Sequence, residues 1–173
     1  MEAQNTPTVD ASQMATLQKK VAVEGKFKNG VNWFFWIAGL SILNTLIFLL
    51  GGSITFVVGL GITQIVDGFM YGLASEIGQG GIVARLIGFV IDIFVSGIFV
   101  LFGILGRKRF RWSIVLGAVL YALDGVILIP FKDVLGVAFH IWALSGIVGS
   151  LKWLKELQAL EQPKTASAIE PLP

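Results

Sequence analysis

Three aspartates and one histidine lie inside hydrophobic runs of this 173-residue chain: Asp67, Asp92, Asp124 and His140. An aspartate at bilayer depth costs roughly 2.5–3.5 kcal/mol on insertion scales. That cost is sustained where the group is paired, hydrated or used, so these four are the first candidates for chemistry. A carboxylate beside an imidazole fixes the ring's tautomer and can pass a proton or contact a ligand. Asp124 lies six residues before Pro130, and His140 lies six after Val134. If the flanking runs form an antiparallel hairpin turning near position 132, both groups fall at one depth. At 1.5 Å per residue that depth is roughly 9 Å below the helix ends. The spacing predicts that they meet, as a relay or as a buried polar pair that sets helix register.

Asp92 belongs to a row of otherwise small residues at helical spacing, Ala84, Gly88, Asp92 and Ser96, which lets a second helix approach closely. Arg85 is expected near the outer end of the same run, where it can snorkel or reach a carboxylate. A network of Arg85 with Asp92, Asp67 or Asp124 would compensate the buried charges. Asp67 sits in a third row, Thr55, Gly59, Thr63, Asp67 and Tyr71. With Asn44 of the first run, the candidate polar cluster is Asn44, Asp67, Arg85, Asp92, Asp124 and His140. Such a cluster lines an outward cavity in a transporter and forms structural ion pairs in a scaffold.

The elements that must position these residues are helices in a membrane. The chain is 55% hydrophobic and 14% charged, with a mean hydropathy of +0.80. A soluble domain sits nearer 45–50% apolar and about 25% charged. The apolar runs are about 20 residues long rather than short alternating segments, which excludes a barrel. Spans are expected over 33–51, 82–105, 112–130 and 134–151. Asn29 and Gly30 read as a turn before the first span, and Gly51 and Gly52 as its stop.

A fifth apolar stretch, 54–73, carries the polar row of Asp67. Charge decides whether it crosses. Four basic residues precede the first span, four lie at 107–111 and three follow 151, leaving only Arg85 and Lys132 of the thirteen. If 54–73 does not cross, those eleven share one side, as the positive-inside rule requires. The expected fold is therefore an all-α four-helix transmembrane bundle. An interfacial or re-entrant amphipathic helix joins spans 1 and 2 on the outer side. Trp33, Trp36, Trp112 and Trp153 would all fall at the cytoplasmic interface.

The membrane domain is 31–152. Residues 1–30 form a cytoplasmic tail, partly disordered, with a short amphipathic helix over 11–23 that could lie on the membrane surface through Met14, Leu17, Val21 and nearby lysines. Residues 153–173 form a second, mostly disordered cytoplasmic tail. The polar first 30 residues are no signal peptide, so the first run is read as an uncleaved span. The expected location is a bacterial inner membrane.

With no cysteine and one histidine, common zinc sites and thiolate chemistry are excluded, and no catalytic, phosphate-loop or dinucleotide motif is present. No cofactor, no metal and no enzymatic activity are expected. The basic residues flank the spans, so their placement reads as topology rather than nucleic-acid binding. The expected partners are the lipid bilayer and a membrane protein or a second copy. The leading function is a non-enzymatic accessory, assembly or scaffold subunit. The alternative is a small transporter or channel with an outward-facing polar cavity.

Overall fold

The computed structural model describes residues 11–50, 59–78 and 81–162. These form five helices: α1 (Ala11–Leu49), α2 (Gly61–Ile77), α3 (Gly81–Arg107), α4 (Arg111–Ile127) and α5 (Val134–Glu161), with a 3-10 turn at Ile129–Phe131 between the last two. No strand occurs among the described residues. Four elements are long and apolar enough to cross a bilayer: α1, α3, α4 with its 3-10 extension, and α5. The protein is an all-α, multi-pass integral membrane protein. At 17 residues α2 measures about 25 Å, short of the roughly 30 Å hydrocarbon core.

The spans form a closed ring. α1 packs on α3 and α5, and α4 completes the ring by packing on the same two. Missing side chains set the register. A Cβ on Gly103 would lie 2.7 Å from the Phe35 ring, and one on Gly106 2.9 Å from Val31, so α1 and α3 run antiparallel in close contact. Gly117 admits the Phe34 ring between α4 and α1, and Gly125 admits His140 of α5. Phe27, Val31, Phe34, Ile37, Tyr121 and Ile147 are buried among these approaches. Lipid supplies little hydrophobic drive between helices, so such close packing is what holds the spans together.

Both helical tails differ from expectation. α1 runs unbroken through Asn29 and Gly30. The reason is tertiary: a Cβ at Gly30 would lie 2.5 Å from the Gly146 carbonyl and 2.7 Å from Ser150, so this glycine serves contact with α5 and not a turn. Residues 11–23 are therefore the beginning of a 39-residue helix about 58 Å long, not a separate helix on the bilayer surface. At the other terminus α5 continues to Glu161, so the first part of the expected loose tail, 153–161, is helix. Val23 and Phe27 of α1 and Leu154 and Leu157 of α5 are buried in one continuous core. The two helices thus form a stalk beyond the apolar spans. Residues 1–10, Gly51, Gly52, Thr55 and the tail beyond Gln162 lie outside the described residues.

Ion pairs join the stalk to the α3–α4 turn. Lys19 meets Glu156 at 3.3 Å, Lys20 meets Glu161 at 3.0 Å, and Arg109 of the turn meets Glu161 at 2.7 Å. The described ends of α1 and α5 and the 107–111 cluster therefore share one end of the bundle.

The intervening helix is the largest revision. It spans Gly61–Ile77, displaced from 54–73; positions 54–58 lie outside the described residues, and Gly59 and Leu60 are not helical. The row through Asp67 is accordingly shorter than expected. Thr63 donates to the Leu60 carbonyl, Asp67 faces α1 and α3, and Tyr71 is 46% exposed. α2 starts inside the bundle, the arrangement a re-entrant helix has. Its first turn lies level with Ser41, whose Oγ accepts the Leu60 N–H at 2.7 Å. That is about 12 Å short of the α1 terminus at Leu49. From there α2 runs outward against α3, with Met70 on Gly88 and Ala74 on Gly81. Non-helical backbone at membrane depth survives only inside protein or beside water, and Leu60 is fully buried.

Candidate functional site

Leu60 occupies the N-cap of α2 and offers no side-chain acceptor. A helix start without a cap leaves amide donors unsatisfied, which is costly in hydrocarbon. Asp124, reaching in from α4, supplies the missing acceptors. Its Oδ2 accepts the Gly61 N–H at 2.7 Å, and its Oδ1 accepts the Ile62 N–H at 2.9 Å. A carboxylate at a helix amino terminus also opposes the positive end of the helix dipole.

His140 completes this cluster. Its Nε2 lies 2.9 Å from Asp124 Oδ2, and its Nδ1 lies 2.7 Å from the Gly136 carbonyl oxygen. A carbonyl only accepts, so Nδ1 carries a proton and donates it. The Nε2–Oδ2 contact holds a second proton between ring and carboxyl. Tyr121 stacks on the imidazole, centroids 4.3 Å apart and planes 18° apart. A Cβ at Gly125 would lie 3.0 Å from the histidine, so only glycine lets the ring sit this close. The hairpin that brings the pair together is shaped by Pro130 in the 3-10 turn, Lys132 in the left-handed region (φ 57°), and Asp133, which caps α5 through the Gly136 N–H at 2.9 Å.

A second cluster lies nearer the α2–α3 turn. Thr45 Oγ1 of α1 is 3.1 Å from Asp67 Oδ2 of α2 and 3.0 Å from Asp92 Oδ2 of α3. Both carboxyls thus converge on one threonine hydroxyl, whose single proton can serve only one of them at a time. Asp92 is fully buried and its Oδ1 has no hydrogen-bond partner among the described residues; the buried Ser96 Oγ, one turn along α3, has none among them either.

Of the six sequence candidates, the geometry joins Asp124 with His140 and Asp67 with Asp92, in two clusters at the two ends of α2's inner half. Arg85 makes no ion pair with Asp67, Asp92 or Asp124 among the described residues. Its guanidinium lies over the Tyr71 ring at 4.7 Å, and it lines a slot with Thr45, Phe48, Leu49, Asp67 and Met70. That slot is about 10 Å³, room for roughly one water molecule. Asn44 is buried against Gly59, where α2 begins. Of the six candidates, Asp67 and Arg85 line this slot.

Sequence reasoning missed Thr45, Tyr121 and the amides of Gly61 and Ile62. Leu60 in a cap position carried the signal for the last two, since a helix starting there must find its acceptor elsewhere. No group of three potential metal ligands occurs among the described residues. Comparison with protein-family models, curated proteins and solved structures finds no match.

Proposed function

We propose that the protein is a non-enzymatic accessory or assembly subunit of a bacterial inner membrane, with both termini cytoplasmic, that docks a partner on its α1–α5 stalk. One observation supports this reading above the others. Met14, Leu17 and Val21 are 49%, 56% and 71% exposed on the stretch of α1 that precedes the apolar span. Their spacing puts three large apolar side chains on one helical stripe, the surface an amphipathic partner helix recognises. Lipid is poorly placed to cover them, because α1 continues into its span and is tied alongside α5 by Lys19 and Lys20. The concentration of basic residues at this end supports the cytoplasmic assignment. Asp124, fully engaged in holding α2, supports a structural use of the buried charges.

The test is affinity capture of the full chain after mild detergent extraction, beside a variant carrying Met14→Gln, Leu17→Gln and Val21→Gln. A partner recovered with the wild type and lost from the folded variant is the expected result. Recovery of the lone chain or its own oligomer counts against a hetero-partner.

A second reading, a small transporter or channel worked from the outer side, is favoured by the re-entrant α2. Proteoliposomes without proton or solute flux would remove it.

A further inference from the structure

We propose that Thr45, Asp67 and Asp92 form a binding site for one monovalent cation, reached past Arg85 from the α2–α3 end of the bundle. This inference is independent of the docking role. The donors come from three helices: a hydroxyl from α1 and a carboxyl each from α2 and α3, with Oγ1 at 3.1 and 3.0 Å from the two carboxyl oxygens. All are hard oxygen ligands, suited to a proton or an alkali cation and not to soft metals.

Proximity of two acids would not make a site. The unfilled bonding capacity beside them does. Asp92 Oδ1 and Ser96 Oγ are both buried and both without a partner among the described residues. Buried polar atoms left in this state are uncommon and call for a reason. The threonine has a single proton and can donate to only one carboxyl at a time. The cluster is therefore short of positive charge or protons by its own geometry.

Size and charge select the occupant. The slot leading to Asp67 holds about 10 Å³, roughly one water-sized body. Two carboxylates with the Arg85 guanidinium on the slot wall carry a net single negative charge, which one monovalent cation neutralises. A divalent ion would overshoot, and it would bring a hydration shell the slot has no room for. The other ionisable groups near the pair are Tyr71 on α2 and, at the inner end of α2, Asp124 with His140. The adjoining stretch of α1, 31–49, contains no charged residue. A proton shared between the two carboxyls that converge on Thr45 fits this arrangement; sodium is the alternative occupant of the same oxygens.

The test is infrared difference spectroscopy on the full chain in phosphatidylethanolamine–phosphatidylglycerol vesicles, first in choline chloride. A protonated-carboxyl band is expected in the wild type, absent from Asp92→Asn and from Asp67→Asn, and shifted in frequency in Thr45→Val. The band should move on transfer to D2O. Sodium chloride that leaves the band unchanged identifies the proton as sole occupant. Sodium chloride that abolishes it with release of about one proton per chain identifies competition at the same oxygens. Three results overturn the site: no band difference between wild type and folded Asp92→Asn, a band that D2O never reaches, or a band removed by magnesium and not by sodium. Thr45→Val, which keeps both acids, carries the test if the aspartate variants fail to fold.

Discussion

The two acidic clusters of the membrane domain differ in how completely their carboxylates are satisfied, although the buried Tyr121 hydroxyl beside His140 also has no partner among the described residues. Asp124 spends both oxygens on the first amides of α2 and adds an imidazole. Asp92 shares one oxygen with Thr45 and leaves the other, fully buried, without a partner among the described residues. The same residue type at membrane depth thus serves two ends. A carboxylate engaged on every side is part of the scaffold. One with unused capacity marks the candidate site, and the water-sized slot nearby is lined by its neighbours Thr45 and Asp67.

That contrast can be broken most directly at Asp124. Asp124→Ala should cost about 3–5 kcal/mol, since it strands His140 and two backbone amides in a dry interior. Denaturant titration in detergent micelles measures it, and a loss of less than about 1 kcal/mol would erase the distinction between the clusters. Next comes the packing that carries both clusters. Gly30→Ala would drive a methyl against the Gly146 carbonyl, for an expected loss of about 1–3 kcal/mol by the same titration. Asp92→Asn should change stability by no more than about 1 kcal/mol, because the amide is isosteric and the second oxygen supports nothing in the fold. Equal losses for Asp92→Asn and Asp124→Ala would place both carboxylates in the scaffold.

The smallest effect belongs to the stalk. Glu161, beyond the apolar span, is held below its ordinary value of 4.5 by hydrogen bonds from Lys20 and then Arg109. A carboxyl depressed in the folded state contributes its full stabilisation above the unfolded value and loses it as pH falls below. Amide exchange over the last turns of α5 should therefore quicken as pH drops below 4.5, after correction for intrinsic rates.

The span count was readable because lysine and arginine placement obeys one global rule, and the Asp124–His140 contact because a hairpin fixes the depth of its two arms. What escaped was whatever depended on a distant helix. Asn29 with Gly30 looks like a turn locally, yet α5 holds it in helix through a contact only glycine permits. The start of α2 moved because its cap is 63 positions away in the chain. Arg85 was expected to seek a carboxylate, and it rests instead on the face of Tyr71, a contact set by the pairing of α2 with α3. Local preference is a weak guide wherever a glycine or a cap is answering a neighbour.

Because Asp124 follows α2 in the chain, the fastening of that short helix must wait for translation to run on. While the ribosome is still making α3, the first turn of α2 has neither its carboxylate nor the ring behind it. Insertion of the final hairpin is therefore also the moment at which the middle of the molecule locks. A nascent chain halted before position 124 would carry an α2 whose first amides lack that carboxylate.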